Sequence, residues 1–543
     1  MGEFYINFSC YNKLMITFDS VTLKAWVEEN KDFLTGARIQ KIQQPTRREF
    51  VFSIRSLGEN RKFYININPQ LHHIAFMSRE NEERRLIEIP KKPPMFCMLL
   101  RKYLENSKIC EVKQPPYERI LEFYIETFNE LSEKIYLCLA IELMGKHSNV
   151  VLYNYDTNII IGCAHNVGSE KSSVREMAGT LPYTYPPKQN KTDILTYNGE
   201  INPETLSKDF YWISNSFASK VKTCPLTKIK NFVELKGLSP VISKDFKEYS
   251  LFSELIENSQ AQTSINEMLD NYFTYYQEKE KFQALKTHLT TITNQKIRKY
   301  QNSLDKLSAQ LEREAKTEIY RLYGDLIMAN LYDNQDYSPF VDVFDYENNR
   351  NITIELDNTK TLKENANKFY KLYNKGKTSK QKLGEMKEQF EGNLNYFKQV
   401  LYSINRAENI RELLEIKAEL EPDTEKKEKN HSSLEPLKLQ EGDFTIFIGK
   451  NNRQNDYIVS KLAKDEDLWF HTKDCAGSHV LLKGENPPDS LILKCAKLAK
   501  ENSSAPNSSK IGVIYTKRKY LKKPPKANLG YVTYKGEKEI VID

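Results

Sequence analysis

From Val241 to Tyr323 the chain contains neither glycine nor proline, and its apolar residues recur at coiled-coil spacing. Phe282, Leu285, Leu289 and Ile292 mark one seam; after a one-residue skip, Ile297, Tyr300, Leu304, Leu307 and Leu311 continue it. A segment free of helix breakers and carrying a single apolar stripe buries that stripe best as a long helix against a partner. The pattern predicts a helix from about 265 to 330, on the order of 100 Å long. A second seam (Leu383, Met386, Phe390, Leu394, Phe397, Leu401, Ile404) lies in a helix that starts at the capping box Thr361-x-x-Glu364 and ends by Glu421. Between the two, 340–344 and 352–356 alternate with period two around an Asn-rich turn, a small β-element within about 336–357. Together these features predict an antiparallel coiled-coil arm over 259–421 with a head at its tip, and the functional meaning of such an arm is reach.

The remainder reads as α+β, multidomain. Residues 15–190 form a mixed α/β domain: an amphipathic helix Thr22–Asn30, short strands at 38–43, 50–54, 62–67, 120–125, 134–143 and 150–155, and a helix Met95–Asn106 opened by Pro93-Pro94. Residues 191–258 turn helical, and Leu235-x-Gly237-Leu238 with Ser239 beyond it fits a helix-hairpin-helix, whose turn amides can hold a phosphate; an ordinary αα-hairpin fits equally well. Residues 422–436 are a polar, mixed-charge linker to a C-terminal α/β domain, 437–543.

The eight cysteines include no Cys-x-x-Cys pair and no finger spacing with histidine, so reduced thiols and no metal site are expected. No apolar run reaches bilayer length, no signal pattern is present, and Ile6 occupies the place where a myristoylation motif needs Ser or Thr. A soluble cytoplasmic protein without membrane association is expected. Basic residues exceed acidic ones by only +7, but the excess is uneven: no acidic residue lies between Asn502 and Gly536, where Lys510, Lys517, Arg518, Lys519, Lys522, Lys523, Lys526 and Lys535 fall. A block of one sign interleaved with strand-like Ile511, Val513 and Ile514 suits a polyanion partner. Upstream, Trp469, Phe470, His471 and His479 offer flat stacking surfaces, and Lys450, Arg453 and Lys473 supply charge, a mixture suited to RNA backbone and unstacked bases. The plain alternative is a β-domain core with polar turns.

The segments Gly449-Lys-Asn-Asn452, His471-Thr-Lys-Asp474 and Gly477-Ser-His479 resemble the RNA-binding domain that closes the NFACT family of ribosome-associated proteins. Pro93–Lys102, Glu142–Asn149, Tyr320–Asn330 and Glu364–Tyr370 extend the resemblance through nearly the whole chain from Met15, and the chain looks like the bacterial members, some of them labelled fibronectin-binding. Residues 1–14 have no counterpart in the family pattern and are expected to be dispensable for folding. The resemblance implies a ribosome quality-control factor. Such a protein binds a separated large subunit obstructed by a nascent chain still joined to tRNA, contacting rRNA and reaching the stalk base through its arm. It recruits charged tRNA, alanyl in bacteria, for tailing without mRNA. It implies an adaptor without catalytic residues or cofactor, because peptide-bond chemistry stays with the ribosome.

The family's tRNA-engaging Asp-Arg pair falls on Glu118-Arg119, and the arginine of its Gly-Arg-His falls on Lys146, beside His147 and downstream of Glu142. Both departures keep charge and change geometry: Glu118 is one methylene longer, and Lys146 cannot make a planar bidentate contact. Alternatives of other classes are a large-subunit binder without tailing, a fibronectin-binding surface adhesin, and a base-excision glycosylase. The last is disfavoured by the Met-Gly-Glu start and the absence of a four-Cys finger.

Overall fold

The computed structural model describes residues 18–170, 172, 174–332, 337–421, 435–508, 510–525 and 527–542. The extension 1–14, most of the linker and Lys526 lie outside the described residues. The chain divides into two compact units, 1–280 and 281–543.

The first unit is built on one nine-stranded sheet, ordered β4-β3-β2-β1-β5-β6-β7-β8-β9. Its strands are β1 (Arg38–Thr46), β2 (Glu49–Ser56), β3 (Glu59–Asn66), β4 (His73–Met77), β5 (Lys108–Lys113), β6 (Ile120–Phe128), β7 (Lys134–Glu142), β8 (Asn149–Asn154) and β9 (Ile160–Cys163). Two antiparallel meanders meet at β1 and β5, where Arg38 pairs with Lys108. On one face pack the helix Ser20–Leu34 and the helix Met95–Leu104, around Trp26, Phe63, Phe123 and Leu100. The first helix starts where Asp19 Oδ1 accepts from Thr22 N at 2.9 Å. The other face, with Ile120, Val151 and Tyr153, is covered by the loop bearing Met177 and Tyr183.

Short helices follow at Leu206–Asp209, Asn215–Val221 and Leu226–Val233. The helix-hairpin-helix expected after them is a helix followed by strands. Leu235 and Gly237 both take positive φ, and the chain then enters β10 (Val241–Ser243), which pairs with β11 (Tyr249–Ser250) and β12 (Ser259–Ala261). Ser239 caps no helix; its Oγ hydrogen-bonds Ser253 N at 2.9 Å. Pro240 followed by Val and Ile favours extended backbone, which outweighs the weak hairpin pattern.

The second unit holds the arm and the C-terminal domain. Helix Ile265–Ala315 runs into it, tightens to a 3₁₀ turn at Lys316–Glu318 and continues as Ile319–Ala329. The returning helix is Leu362–Arg406, opened by the complete capping box of Thr361 and Glu364. The two run antiparallel: Tyr300 meets Phe390 and Phe397, Glu314 meets Ser379, and Asp325 accepts from the Tyr370 hydroxyl. Leu289, Leu304, Leu307 and Leu394 of the expected seams are buried, whereas Met386 is exposed. The return does not continue unbroken to Glu421. It stops at Ala407, and Asn409 caps a separate helix, Ile410–Leu420. At the head, β13 (Phe340–Asp345) and β14 (Arg350–Glu355) pair antiparallel over a core of Val341, Val343 and Ile354.

The C-terminal sheet is ordered β15-β16-β18-β17-β19-β20. Its strands are β15 (Leu437–Glu441), β16 (Phe444–Ile448), β17 (Leu468–Thr472), β18 (Val480–Lys483), β19 (Ile511–Lys517) and β20 (Lys538–Ile542). The helix Asp489–Glu501 packs on one face around Phe470, Cys495 and Val513. Along β17 neighbours point oppositely, so Phe470 belongs to that core while Trp469 and His471 face the other side.

Candidate nucleic-acid interface

In the first unit a cleft of about 1260 Å³ opens between the β1–β2 turn, the start of the helix Met95–Leu104 and the segment after β7. Its cations are Arg47, Arg48, Arg119, Lys146 and Arg175, with His147 beside them; Glu142 is the one carboxylate among the described lining residues. Each position follows from local structure. Arg47 and Arg48 form the two-residue link between β1 and β2. Lys146 and His147 sit exposed on the 3₁₀ turn Gly145–His147, where Gly145 holds φ at +65°. Arg119 directly precedes β6, and its carbonyl accepts from Leu143 N at 2.8 Å. The preceding turn is fixed by Gln114, whose Nε2 donates to Glu118 O and Ser20 O at 2.7 and 2.9 Å.

Among the described residues, neither the Arg119 guanidinium nor the Glu118 carboxylate makes a salt bridge or a side-chain hydrogen bond. Burial pulls the Arg119 guanidinium below its ordinary value, against Asp19 and Glu118 nearby. Burial also raises the Glu118 carboxyl, against the opposing charge of Arg119. Behind Arg119 lies His72, buried with neither ring nitrogen bonded and pushed down to about 4 by burial and by Arg119. A partly desolvated guanidinium without an anion is an open demand for one.

Glu142 is not free to touch a ligand. It is 1% exposed, and its oxygens receive Arg175 at 2.6 and 3.0 Å and the Tyr183 hydroxyl at 3.0 Å. Its work is to hold the loop that carries Arg175. A second buried carboxylate, Glu122, ties the same loop by accepting from the Tyr185 hydroxyl at 2.7 Å. Glu118 does not line the cleft. Arg47, Arg48 and Arg175 were not singled out from sequence, because a surface arginine becomes informative only once the fold brings it beside others; the adjacent Arg47-Arg48 was the one local signal.

In the C-terminal domain three lysines of the basic block, and two lysines upstream of it, are paired within the chain. Lys517 and Lys519 share Glu466 at 2.7 Å each, Lys523 pairs with Asp456, Lys473 with Glu539 at 2.9 Å, and Lys450 with Glu412 at 2.9 Å. Arg518 turns inward, its Nε donating to Val459 O at 3.2 Å. Lys522 and Arg453 are exposed and make no ion pair among the described residues. The amides of the 449–456 motif are also engaged internally: Asn451 and Gln454 donate to Glu415, and Asn452 to Glu419. That motif docks the C-terminal sheet on the helix Ile410–Leu420.

His471 and His479 sit apart from the block, with Trp469. The Trp469 and His479 rings lie 5.1 Å apart edge to face, and His471 is 5.3 Å from His479. Burial lowers both histidines and keeps them neutral. They line a cleft of about 460 Å³ between the sheet and the returning arm helix.

A basic cleft on an antiparallel sheet, a long helical arm and a lysine-rich C-terminal sheet define a multidomain protein equipped for polyanions. Residues 19–221 and 225–434 match the NFACT N-terminal and middle domains, and 437–536 match the NFACT protein RNA binding domain. The chain belongs to the NFACT family. It is similar to Rqc2 homolog RqcH of Bacillus subtilis (30% identity, 97% of this chain and 98% of that one). It is also similar to Rqc2 homolog RqcH of Streptococcus suis (29% identity, 97% and 98%). Among solved structures, the N-terminal part of the fibronectin/fibrinogen-binding protein from Streptococcus suis is 28% identical, with a TM-score of 0.43, over 48% of this chain and 100% of that one. Among the described residues no helix is long and apolar enough to cross a membrane, and no cluster of His, Cys, Asp and Glu could hold a metal.

Proposed function

We propose that the protein is a ribosome quality-control adaptor. It binds a large ribosomal subunit obstructed by a nascent chain on tRNA and brings in charged tRNA, alanyl by family resemblance, for tailing of the stalled chain. The N-terminal cleft engages tRNA through Arg119, Lys146 and His147, joined by Arg47, Arg48 and Arg175. The arm reaches the stalk base and the C-terminal domain holds rRNA. Peptide-bond formation stays with the ribosome, so no residue is assigned to catalysis. The observation that carries this reading is the Arg119 guanidinium, half-buried in a cleft of cations and in no salt bridge among the described residues.

The test is to purify the protein on its ribosomal particle and sequence the bound tRNA. Enrichment of alanine acceptors is expected; particles without tRNA would leave a binding-only protein. Arg119→Ala is expected to abolish tRNA recovery while large-subunit association persists. Because Arg119 makes no salt bridge among the described residues, Arg119→Ala should also unfold close to the wild-type temperature. A buried ion pair would instead lose roughly 3–5 kcal/mol, and lowered melting with both activities gone would return Arg119 to a structural role.

A further inference from the structure

We infer that the cleft between the C-terminal sheet and the returning arm helix receives a single unstacked base of an RNA strand. This deepens the reading of residues 437–536 as RNA-binding and rests on it. The cleft of about 460 Å³ falls in the size range that encloses a small organic ligand. Its depth is set by Trp469 and His479, 2% and 4% exposed, and each leaves one ring atom without a partner: Trp469 Nε1 and His479 Nδ1. The indole Nε1–H can only donate. Burial keeps His479 neutral, so its Nδ1 is an acceptor when the proton sits on Nε2. One buried donor and one buried acceptor, on two residues that line the same cleft, match the mixed edge of a nucleobase, whereas an apolar ligand would leave both unsatisfied.

Tyr531 and Tyr534 also line the cleft and are 50% and 37% exposed, which leaves aromatic surface for stacking. Lys398 and Lys473 line the cleft where a strand's phosphates would pass, Lys473 exchanging its Glu539 partner for one. On the helix side, a Cβ added to Gly392 would meet nothing within 4 Å, so that wall is open space. Extruding a base from a single strand is cheap, and base–aromatic contact recovers the cost.

The full chain is titrated with a short uridine RNA carrying one 2-aminopurine, beside the same strand with an abasic site at that position. Wild type should quench the fluorophore and bind the abasic strand about 5- to 100-fold more weakly. Gly392→Phe fills the cleft with a better helix former and should abolish both effects at unchanged melting temperature. Trp469→Phe keeps a smaller aromatic ring, removes the unpartnered donor, and should weaken binding of the 2-aminopurine strand more than that of the abasic strand. Equal affinity and quenching in both variants would overturn the base pocket while leaving salt-dependent RNA binding intact. Binding of free 2-aminopurine riboside as tight as the strand would assign the cleft to a free nucleoside and overturn the strand reading. Absence of any RNA binding by wild type would remove the RNA-binding reading and the pocket together.

Discussion

At the scale of single residues, charge is governed by which partners the fold supplies. Glu118 is held above its ordinary range by burial, so its ionised form costs stability. A carboxylate raised in the folded state contributes stability below its unfolded value and loses it as pH rises through the folded one. Glu118→Gln should therefore raise the melting temperature at pH 7 and leave it unchanged at pH 4, measured by thermal unfolding at both. Glu466 shows the opposite case: Lys517 and Lys519 hold its carboxyl down at about 2, so at neutral pH it neutralises part of the basic block. Glu466→Gln frees both lysines, and each one that then meets a phosphate should steepen the salt slope of RNA binding by about 0.7–0.9. An unchanged slope would remove Lys517 and Lys519 from the interface. Residue types were legible in the sequence; their partners were not. Lys517 and Glu466 are far apart along the chain and come together only because β19 lies beside β17. The 449–456 amides likewise resemble an RNA-reading motif until Glu415 and Glu419 are placed opposite them.

At the scale of elements, periodicity carried most of the information. The glycine-free run, the two seams and the capping box marked the arm, because a helix pairing with a helix repeats one contact along its length. The short edge strands β4 and β9 escaped notice, each too brief to display alternation. The helix-hairpin-helix failed because a glycine turn permits several continuations and Pro240 selected the extended one. Close approach was equally invisible. Gly376 faces the 3₁₀ turn of the outgoing helix, where an added Cβ would lie 2.1 Å from Thr317 Oγ1. Gly376→Ala should cost about 1–3 kcal/mol despite its better helix propensity. Thr317→Ala in the same chain should recover part of that loss, read from denaturant midpoints of the two single variants and the double. Additive losses would mean that the helices do not touch there.

At the scale of the whole molecule, five of the eight histidines, His72, His73, His165, His471 and His479, are held below their ordinary value chiefly by burial. For a depressed histidine the unfolded chain binds the proton first, so stability falls as pH drops below about 6.5. For His72, lowered to about 4, the loss approaches about 3 kcal/mol near that pH. Glu118 and Glu419, raised by burial, act in the opposite sense but are outnumbered. Urea midpoints should fall steadily from pH 7.5 to pH 4.5, and a flat profile would mean that these histidines titrate normally. Gln399 Nε2 donates to Gly477 O at 2.9 Å, and its Oε1 accepts from Gly477 N at 2.7 Å. The bonds read only the backbone at 477, yet an added Cβ there would lie 2.7 Å from Thr472 Oγ1. Position 399 is thus constrained by hydrogen-bond polarity, since a glutamate cannot donate, and position 477 by volume. Across descendants of this gene, 399 should drift only among amides, and 477 should gain a side chain only where 472 has already lost its own.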